Sequence, residues 1–491
     1  MSAAEVLVVV RGGLEWLLAL GAAPVLVYFT VVNTFSLLII VLAALELRMQ
    51  QHRDSAEVAS HVGELIPGVS VIVPAHNEQA GVVQAVKALL TLRYPRHEVV
   101  VVDDGSTDQT LQCLVDAFDL VPVPRAVPQD VPVEAVVRQV LVPRDGRTRL
   151  VVVSKDNSGK TEAVNTGINA ATETLVAIID ADSVLEPDAL LRVARPFSDD
   201  PIRMVASGGS VRAANGSRIV DGRVVRVQLS RRWLPRIQVV EYFRAFLLGR
   251  AGWSRLGCLI LISGAFGLFR RDLVVEVGGL NNSSIGEDFE LVLRLHRHLR
   301  DQGRDYRLGF VAEPVAWTEV PESLAVLRRQ RRRWHRGLWE TLSAYRGMLL
   351  RPRYGRVGFL ALPYYWVFEL FAPLLEALGL IMLAAGLALG VIDVEFALLF
   401  LLLAYGYAAF VTLCALAVEE WGFHRHERWR DLPLIMAASV LENIGYRQLT
   451  VWWRLEGWWA SLRGKKQVWG VMTRTGFDGG ATRAGRDRAA R

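Results

Sequence analysis

Apolar positions along this chain follow two regimes. Between about residue 69 and residue 345, short apolar runs alternate with amphipathic and polar stretches, whereas towards both ends the apolar residues continue for twenty positions or more. In the middle region, the runs 69–73, 99–102, 150–153 and 175–179 are rich in Val, Ile and Leu and read as strands. Stretches of helical period follow each of them, at 79–92, 110–118, 160–171 and 187–197. Strand alternating with helix predicts an α/β domain with a mainly parallel sheet. In such sheets ligands lie beyond the carboxyl ends of the strands, and polar clusters follow the first, second and fourth runs. The Pro- and Val-rich segment 121–143 interrupts the alternation and is expected to be a surface excursion.

The long apolar runs predict membrane helices. Residues 24–47 would span about 36 Å as a helix, enough for a hydrocarbon core of about 30 Å. The run exceeds the apolar region of a signal peptide and lacks a small-residue cleavage site after it, so it reads as a span. Pro363 and Pro373 divide the run 357–391; its first part is expected at the interface and 371–391 to cross, with 396–418 crossing back. In 432–453, Glu442 and Arg447, with Arg454 just beyond, would each cost about 2.5–3.5 kcal/mol at the bilayer centre, which predicts an interfacial or re-entrant helix.

Charge then orients the chain. Arg48 and Arg53 follow the first run, an arginine-dense stretch precedes the second, and Arg425, Arg428 and Arg430 follow the third. The turn between the second and third carries only Asp393 and Glu395. This asymmetry predicts an external amino terminus, a cytosolic domain over 65–350, a membrane region over 355–460 and a basic cytosolic tail over 461–491. A net charge of +6 with arginine beside apolar runs reads as membrane orientation, not as nucleic-acid binding. Cys113, Cys258 and Cys414 are too scattered for a disulfide framework or a zinc site.

Each polar cluster taken alone has an ordinary structural reading. Asp103-Asp104-Gly105-Ser106 suits a turn, Asp180-Ala181-Asp182 a polar loop, and Glu287-Asp288 the start of a helix, where acids favour the macrodipole. Gly159-Lys160-Thr161 hints at a phosphate loop, but Ser154 stands where that motif requires glycine. In order they are more specific: Pro74-Ala75-His76-Asn77-Glu78, Asp103-Asp104-Gly105-Ser106, Asn157-Ser158-Gly159-Lys160, Asp180-Ala181-Asp182, Ser263-Gly264-Ala265-Phe266-Gly267, Gly286-Glu287-Asp288 and Gln330-Arg331-Arg332-Arg333-Trp334. The run resembles the family 2 glycosyltransferases of GT-A fold, in particular the membrane synthases of poly-N-acetylglucosamine, hyaluronan and cellulose.

The resemblance implies a Rossmann-like GT-A domain with flanking transmembrane and interfacial helices. It also implies transfer of a sugar from a UDP-sugar to a growing saccharide, with inversion, and a role for each matching residue. Asp182 would hold Mg²⁺ or Mn²⁺, hard ions suited to oxygen ligands and to a diphosphate leaving group. Glu78, Asp103 and Asp104 would bind uridine, Asp180 would lie beside the ribose or diphosphate, and Lys160 and Arg333 would face the phosphates. Ser263 and Gly264 would shape the acceptor site and Gln330 and Trp334 line the acceptor path, while Asp288 would be the base that takes the acceptor proton. Arg328, Arg329, Arg331, Arg332 and Arg336 read as juxtamembrane positive charge.

Two departures stand out. Gly286 replaces the threonine common before the base motif. Trp469-Gly470-Val471-Met472-Thr473-Arg474 resembles, with two extra residues, a gating loop in which Trp469 and Arg474 would close over the nucleotide. The Gln-x-x-Arg-Trp motif also occurs in enzymes that add one sugar to a lipid, so single transfer stays open beside processive synthesis. A catalytically silent relative is the reading from another class; Asp182, Asp288 and Arg333 together argue against it. The motifs do not name the donor sugar. Three spans would make a thin wall for a polymer channel, which points to a second copy or a partner subunit for export.

Overall fold

The computed structural model describes residues 2–57, 66–423 and 431–463. Its centre is a ten-stranded mixed sheet. In chain order the strands are β1 (Val69–Ala75), β2 (His97–Asp104), β3 (Leu120–Val123), β4 (Val137–Pro143), β5 (Leu150–Lys155), β6 (Leu175–Ile179), β7 (Val184–Leu185), β8 (Met204–Ala213), β9 (Arg218–Val220), β10 (Arg223–Arg226), β11 (Phe266–Arg270) and β12 (Arg307–Thr318). The large sheet runs β3-β4-β5-β2-β1-β6-β11-β8-β12-β7, and β9 and β10 form a separate ribbon.

The four neighbours β5, β2, β1 and β6 are parallel, as their apolar runs predict. Every residue of β5 and β6 is buried, as expected for strands covered on both faces. Outside this group the sheet is mixed: β12 pairs parallel with β8, but β4 pairs antiparallel with β5, and β11 antiparallel with β6 and β8. The segment 121–143 is also corrected, because its two ends are β3 and β4 and extend the sheet edge.

Helices pack on the sheet and on one another. Among them are α2 (Val82–Leu90), α3 (Thr110–Phe118), α4 (Lys160–Ala170), α5 (Ala189–Asp199), α6 (Trp233–Tyr242), α7 (Glu287–Asp301) and α8 (Leu324–Ala344). On α2 the buried Val82, Val86 and Leu89 fall at helical spacing. On α8 the Ser323 hydroxyl accepts from the Val326 amide at 3.4 Å and caps the helix start.

Among the described residues, three helices are long and apolar enough to cross a membrane: Val8–Gln50, Val357–Ala388 and Ala397–Gly422. The first lies within α1 (Ala3–Glu57), more than twice the length of the 24–47 run; Pro24 sits inside it without ending it. Helical backbone continues through Pro363 and bends at Phe371 before α9 (Ala372–Ala388). Residues 431–462 form two helices, α10 (Asp431–Leu441) and α11 (Arg447–Leu462), joined by a kink at Ile444 and Gly445. One apolar cluster joins the sheet to Ile39, Ile40, Ala43 and Leu47 of α1 and to Val411 and Ala415. At the end of α1, the Gln50 amide donates to the Phe310 carbonyl at 3.0 Å and accepts from the Ala312 amide at 3.2 Å. That pins α1 to β12 beside its bulge.

Candidate active site

The carboxyl ends of β1, β2, β5 and β6 bring the sequence clusters together. At the end of β2, Asp104 is buried; its carboxylate pairs with the fully buried Lys155 and accepts from the Ser158 and Gly159 amides at 3.1 and 2.8 Å. Parallel register sets Lys155 beside Asp104. Asp103 accepts from the Ser106 amide at 3.2 Å and the Ser154 hydroxyl at 3.1 Å. Both aspartates therefore organise the loops that begin at Gly105 and Asp156. Gly105 takes φ +60, and a Cβ there would lie 2.6 Å from the Asn157 amide, so the approach of the two loops requires glycine.

The loop after β1 is tied to the same floor. His76 donates through Nδ1 to the Asp104 carbonyl at 2.8 Å, and Asn157 donates to the same oxygen at 2.9 Å. Asn77 adopts a left-handed φ of 57, which asparagine tolerates, and its side-chain oxygen accepts from the Thr107 and Asp108 amides. The Glu78 amide donates to the Thr110 hydroxyl at 2.8 Å.

A second group sits where α4 and α7 begin. Lys160 lies 2.5 Å from Asp180 and 3.5 Å from the buried Glu287. Burial works to lower the Lys160 ammonium's pKa, but Asp180, Glu287 and Asp288 outweigh it and hold the group above its usual range. Glu287 is shifted up by burial, against the pull of Lys160 and with the help of Asp288. Asp288 accepts from the Gly264 amide at 2.9 Å and from the Phe289 amide at 2.8 Å. Its carboxylate is thus aimed by the 263–265 turn, whose Ser263 carbonyl accepts from the Phe266 amide at 3.2 Å.

Asp182 acts on Tyr242, and Asp288 on Arg250. The Tyr242 hydroxyl is pushed up to about 12 by burial first; Glu241 and Asp182 add to this, and Arg331 and Arg250 oppose it. Arg250 is held below its usual range by burial, although Tyr365 and Asp288 favour its charge. A divalent ion bound through one or two carboxylates keeps positions for phosphate oxygens and water. Asp182 fits that arrangement, with Asp180 beside it already engaged by Lys160. Among the described residues no three His, Cys, Asp or Glu side chains gather into a closed metal centre.

On α8, Gln330 is buried with its side-chain oxygen unpartnered among the described residues, whereas Trp334 is exposed and carries the Arg331 guanidinium 4.7 Å from its ring centroid. The arginines read as juxtamembrane charge serve largely as ion pairs. Arg331 meets Glu241 at 2.6 Å, Arg328 and Arg332 meet Glu456 of α11 at 2.7 and 3.6 Å, and Arg336 meets Glu340 at 2.8 Å. Gly286 packs on α8: a Cβ at Gly337 would lie 3.2 Å from the Gly286 amide. Sequence reasoning missed Lys155 and this glycine contact, since each depends on strand register or helix approach; Asn157 was part of a motif but was given no role. Trp469 and Arg474 lie outside the described residues.

Comparison with known proteins gives three findings. Residues 67–337 match the family model described as "Glycosyltransferase like family 2". Poly-beta-1,6-N-acetyl-D-glucosamine synthase of Staphylococcus aureus strain COL is 27% identical over 279 residues, 56% of this chain and 56% of the relative. The Staphylococcus epidermidis protein of the same name is 27% identical over 277 residues, with the same shares. The chain therefore spans about half the length of the curated relatives it matches. A solved mannosyltransferase from Pyrobaculum calidifontis, in complex with GDP-Man and Mn²⁺, aligns with TM-score 0.49 and 19% identity, covering 86% of this chain and 99% of that one.

Proposed function

Because the chain belongs to the glycosyltransferase like family 2, we propose that it is an inverting, metal-dependent transferase that moves a sugar from a UDP-sugar to a growing polysaccharide at the cytosolic face of a membrane. The carrying observation is Asp288, half-buried at the start of α7 and oriented by the Gly264 amide at 2.9 Å. A carboxylate held in this way can take the proton of an acceptor hydroxyl as the hydroxyl attacks, and attack opposite the leaving group inverts the anomeric centre. Lys160 and Arg333 face the diphosphate as positive charge, and Glu78, Asp103 and Asp104 form the nucleotide floor, the two aspartates by holding its loops. Asp182 holds Mg²⁺ or Mn²⁺, which when bound neutralises charge on the departing diphosphate.

Ser263, Gly264, Gln330 and Trp334 guide the acceptor on the proposed reading, and Trp469 and Arg474 close over the donor. The similarity to poly-beta-1,6-N-acetyl-D-glucosamine synthases favours UDP-N-acetylglucosamine as donor over UDP-glucose. The test is to incubate purified protein with a panel of UDP-sugars and Mn²⁺ or Mg²⁺, and to measure UDP release and product mass. A polymer is expected; a single sugar on a lipid would replace the processive reading, and no UDP release from any donor would remove the proposal. EDTA should silence the enzyme until the ion is restored, and Asp182→Ala should be inactive with either ion.

A further inference from the structure

The helix that carries Gln330, Arg333 and Trp334 is held on two sides by glycines. At Gly337 its backbone meets Gly286, the residue before Glu287 and Asp288; a Cβ on Gly337 would lie 3.2 Å from the Gly286 amide and 3.3 Å from its Cα. On the other side, α11 approaches α8 so closely at Gly457 that a Cβ there would lie 2.6 Å from the Arg332 carbonyl oxygen. Glycine is among the poorest helix formers, so a glycine inside each of these helices calls for a packing reason. Ion pairs flank the second contact: Arg328 and Arg332 with Glu456, and Arg331 with Glu241, which also accepts from the Tyr446 hydroxyl at 2.8 Å.

We propose that Gly337 and Gly457 are positioning residues: through them α11 sets how closely the acceptor helix α8 stands to Asp288. The inference rests on the glycosyltransfer reading. The atoms that a Cβ at Gly457 would meet first all belong to Arg332, not to a residue given a chemical role, and at this contact α8 cannot come closer to α11. An alanine at 457 must open a contact of 2.6 Å beyond 3.0 Å, and to 3.4 Å for ordinary packing. A misplacement of about 1 Å can cost about a hundredfold in rate. The donor floor is built on β1, β2, β5 and α4, none of which meets Gly457, whereas Arg333, proposed to face the diphosphate, rides on α8; donor binding is therefore expected to weaken less than transfer.

The test compares Gly457→Ala with wild type, and with Leu462→Ala, an exposed position on the same helix. UDP affinity by calorimetry is measured beside sugar incorporated per UDP released. The expected result for Gly457→Ala is transfer reduced at least about tenfold, UDP affinity reduced by a smaller factor because Arg333 rides on α8 while the donor floor does not, and more UDP released per sugar incorporated, because the bound donor meets water in place of a placed acceptor. Amide hydrogen exchange over residues 285–290 should rise in the same variant, although residue 457 does not adjoin them in sequence. If Gly457→Ala proves too unstable, Gly337→Ala, with its milder 3.2 Å contact, should show the same uncoupling at smaller size. Unchanged sugar per UDP, or loss of UDP binding in step with transfer, would overturn the inference. A wild type that releases no UDP from any donor removes the transferase reading, and the exchange at 285–290 then still decides whether α11 couples to that segment.

Discussion

Asp288 stands at the second position of its helix, where an acid also serves the macrodipole, and its side chain accepts two amides. Asparagine keeps the shape and one acceptor oxygen, so Asp288→Asn separates support of the helix from proton transfer. General-base assistance is worth about 10²–10⁴-fold, and that loss is expected in transfer rate with UDP affinity retained by calorimetry. Transfer within tenfold of wild type would move the base to Glu287. His296 offers a different reading of ionisation. It is a buried residue of the same helix, donates through Nε2 to the Leu259 carbonyl at 2.8 Å and accepts from the Tyr306 hydroxyl at 2.7 Å. Burial pulls its pKa down to about 4, with Arg300 adding to the effect and the Leu259 bond opposing it. The unfolded chain therefore takes up a proton near pH 6.5 that the folded chain refuses until about pH 4. Stability from this group is complete above pH 6.5 and falls as pH drops through that window, by about 2 kcal/mol between pH 7 and pH 5. His296→Gln should flatten that part of the pH profile of thermal unfolding, and an unchanged slope would remove His296 as its source.

At the scale of elements, what could be read from the chain depended on whether the signal was local. The four central strands are continuous apolar runs, and the polar residues that follow them reveal the site because strand direction alone puts them at one edge. β3 and β4 were hidden because Pro and charged residues break their pattern, and only pairing with β5 makes them strands. The antiparallel placement of β11 between β6 and β8 has no local signature at all. Site residues followed the same rule. Motif order named Asp180, Asp182 and Asp288 as candidates, whereas Lys155 stood out only when register set it opposite Asp104. That pair carries a prediction. Lys155→Met leaves the Asp104 carboxylate buried with backbone amides alone, and breaking such a pair costs about 3–5 kcal/mol. Because the lost partner also holds Ser158, whose hydroxyl accepts from Lys155 at 2.5 Å, UDP affinity should fall with stability. Unfolding in urea beside UDP calorimetry checks both, and a stable variant with normal UDP affinity would show that the loop does not depend on this pair.

The whole molecule joins a catalytic sheet to a bundle of apolar helices through α1, α6 and the pair α10–α11. Charge asymmetry predicts that labelling will find residue 2 outside and residues 200 and 485 in the cytosol; an external residue 485 would require 432–453 to cross. The ion pairs of α11 bear on its depth. Arg447, at the start of that helix, grips Glu376 of α9 through two bonds of 2.9 and 2.7 Å, and Glu376 lies within the candidate span Val357–Ala388. Counting from Glu376 to the end of that span, the helix rises about 18 Å, which is less than a hydrocarbon core of about 30 Å. Glu376 therefore falls inside the core if residue 388 marks the far surface. At such a depth a charge survives by being paired, and the kink at Ile444 and Gly445 lets α11 begin there without crossing. Removing one partner leaves the other charged in a poor solvent, so Glu376→Gln should cost about 3–5 kcal/mol in thermal unfolding of the protein in lipid nanodiscs. The double variant Glu376→Leu with Arg447→Met leaves no charge to solvate and should recover most of that loss. If α11 instead lies at the headgroups, Arg447 can extend its stem and reach water when Glu376 is gone. Glu376→Gln would then unfold like wild type and the double variant would gain nothing, which would place the helix on the membrane surface and not within it.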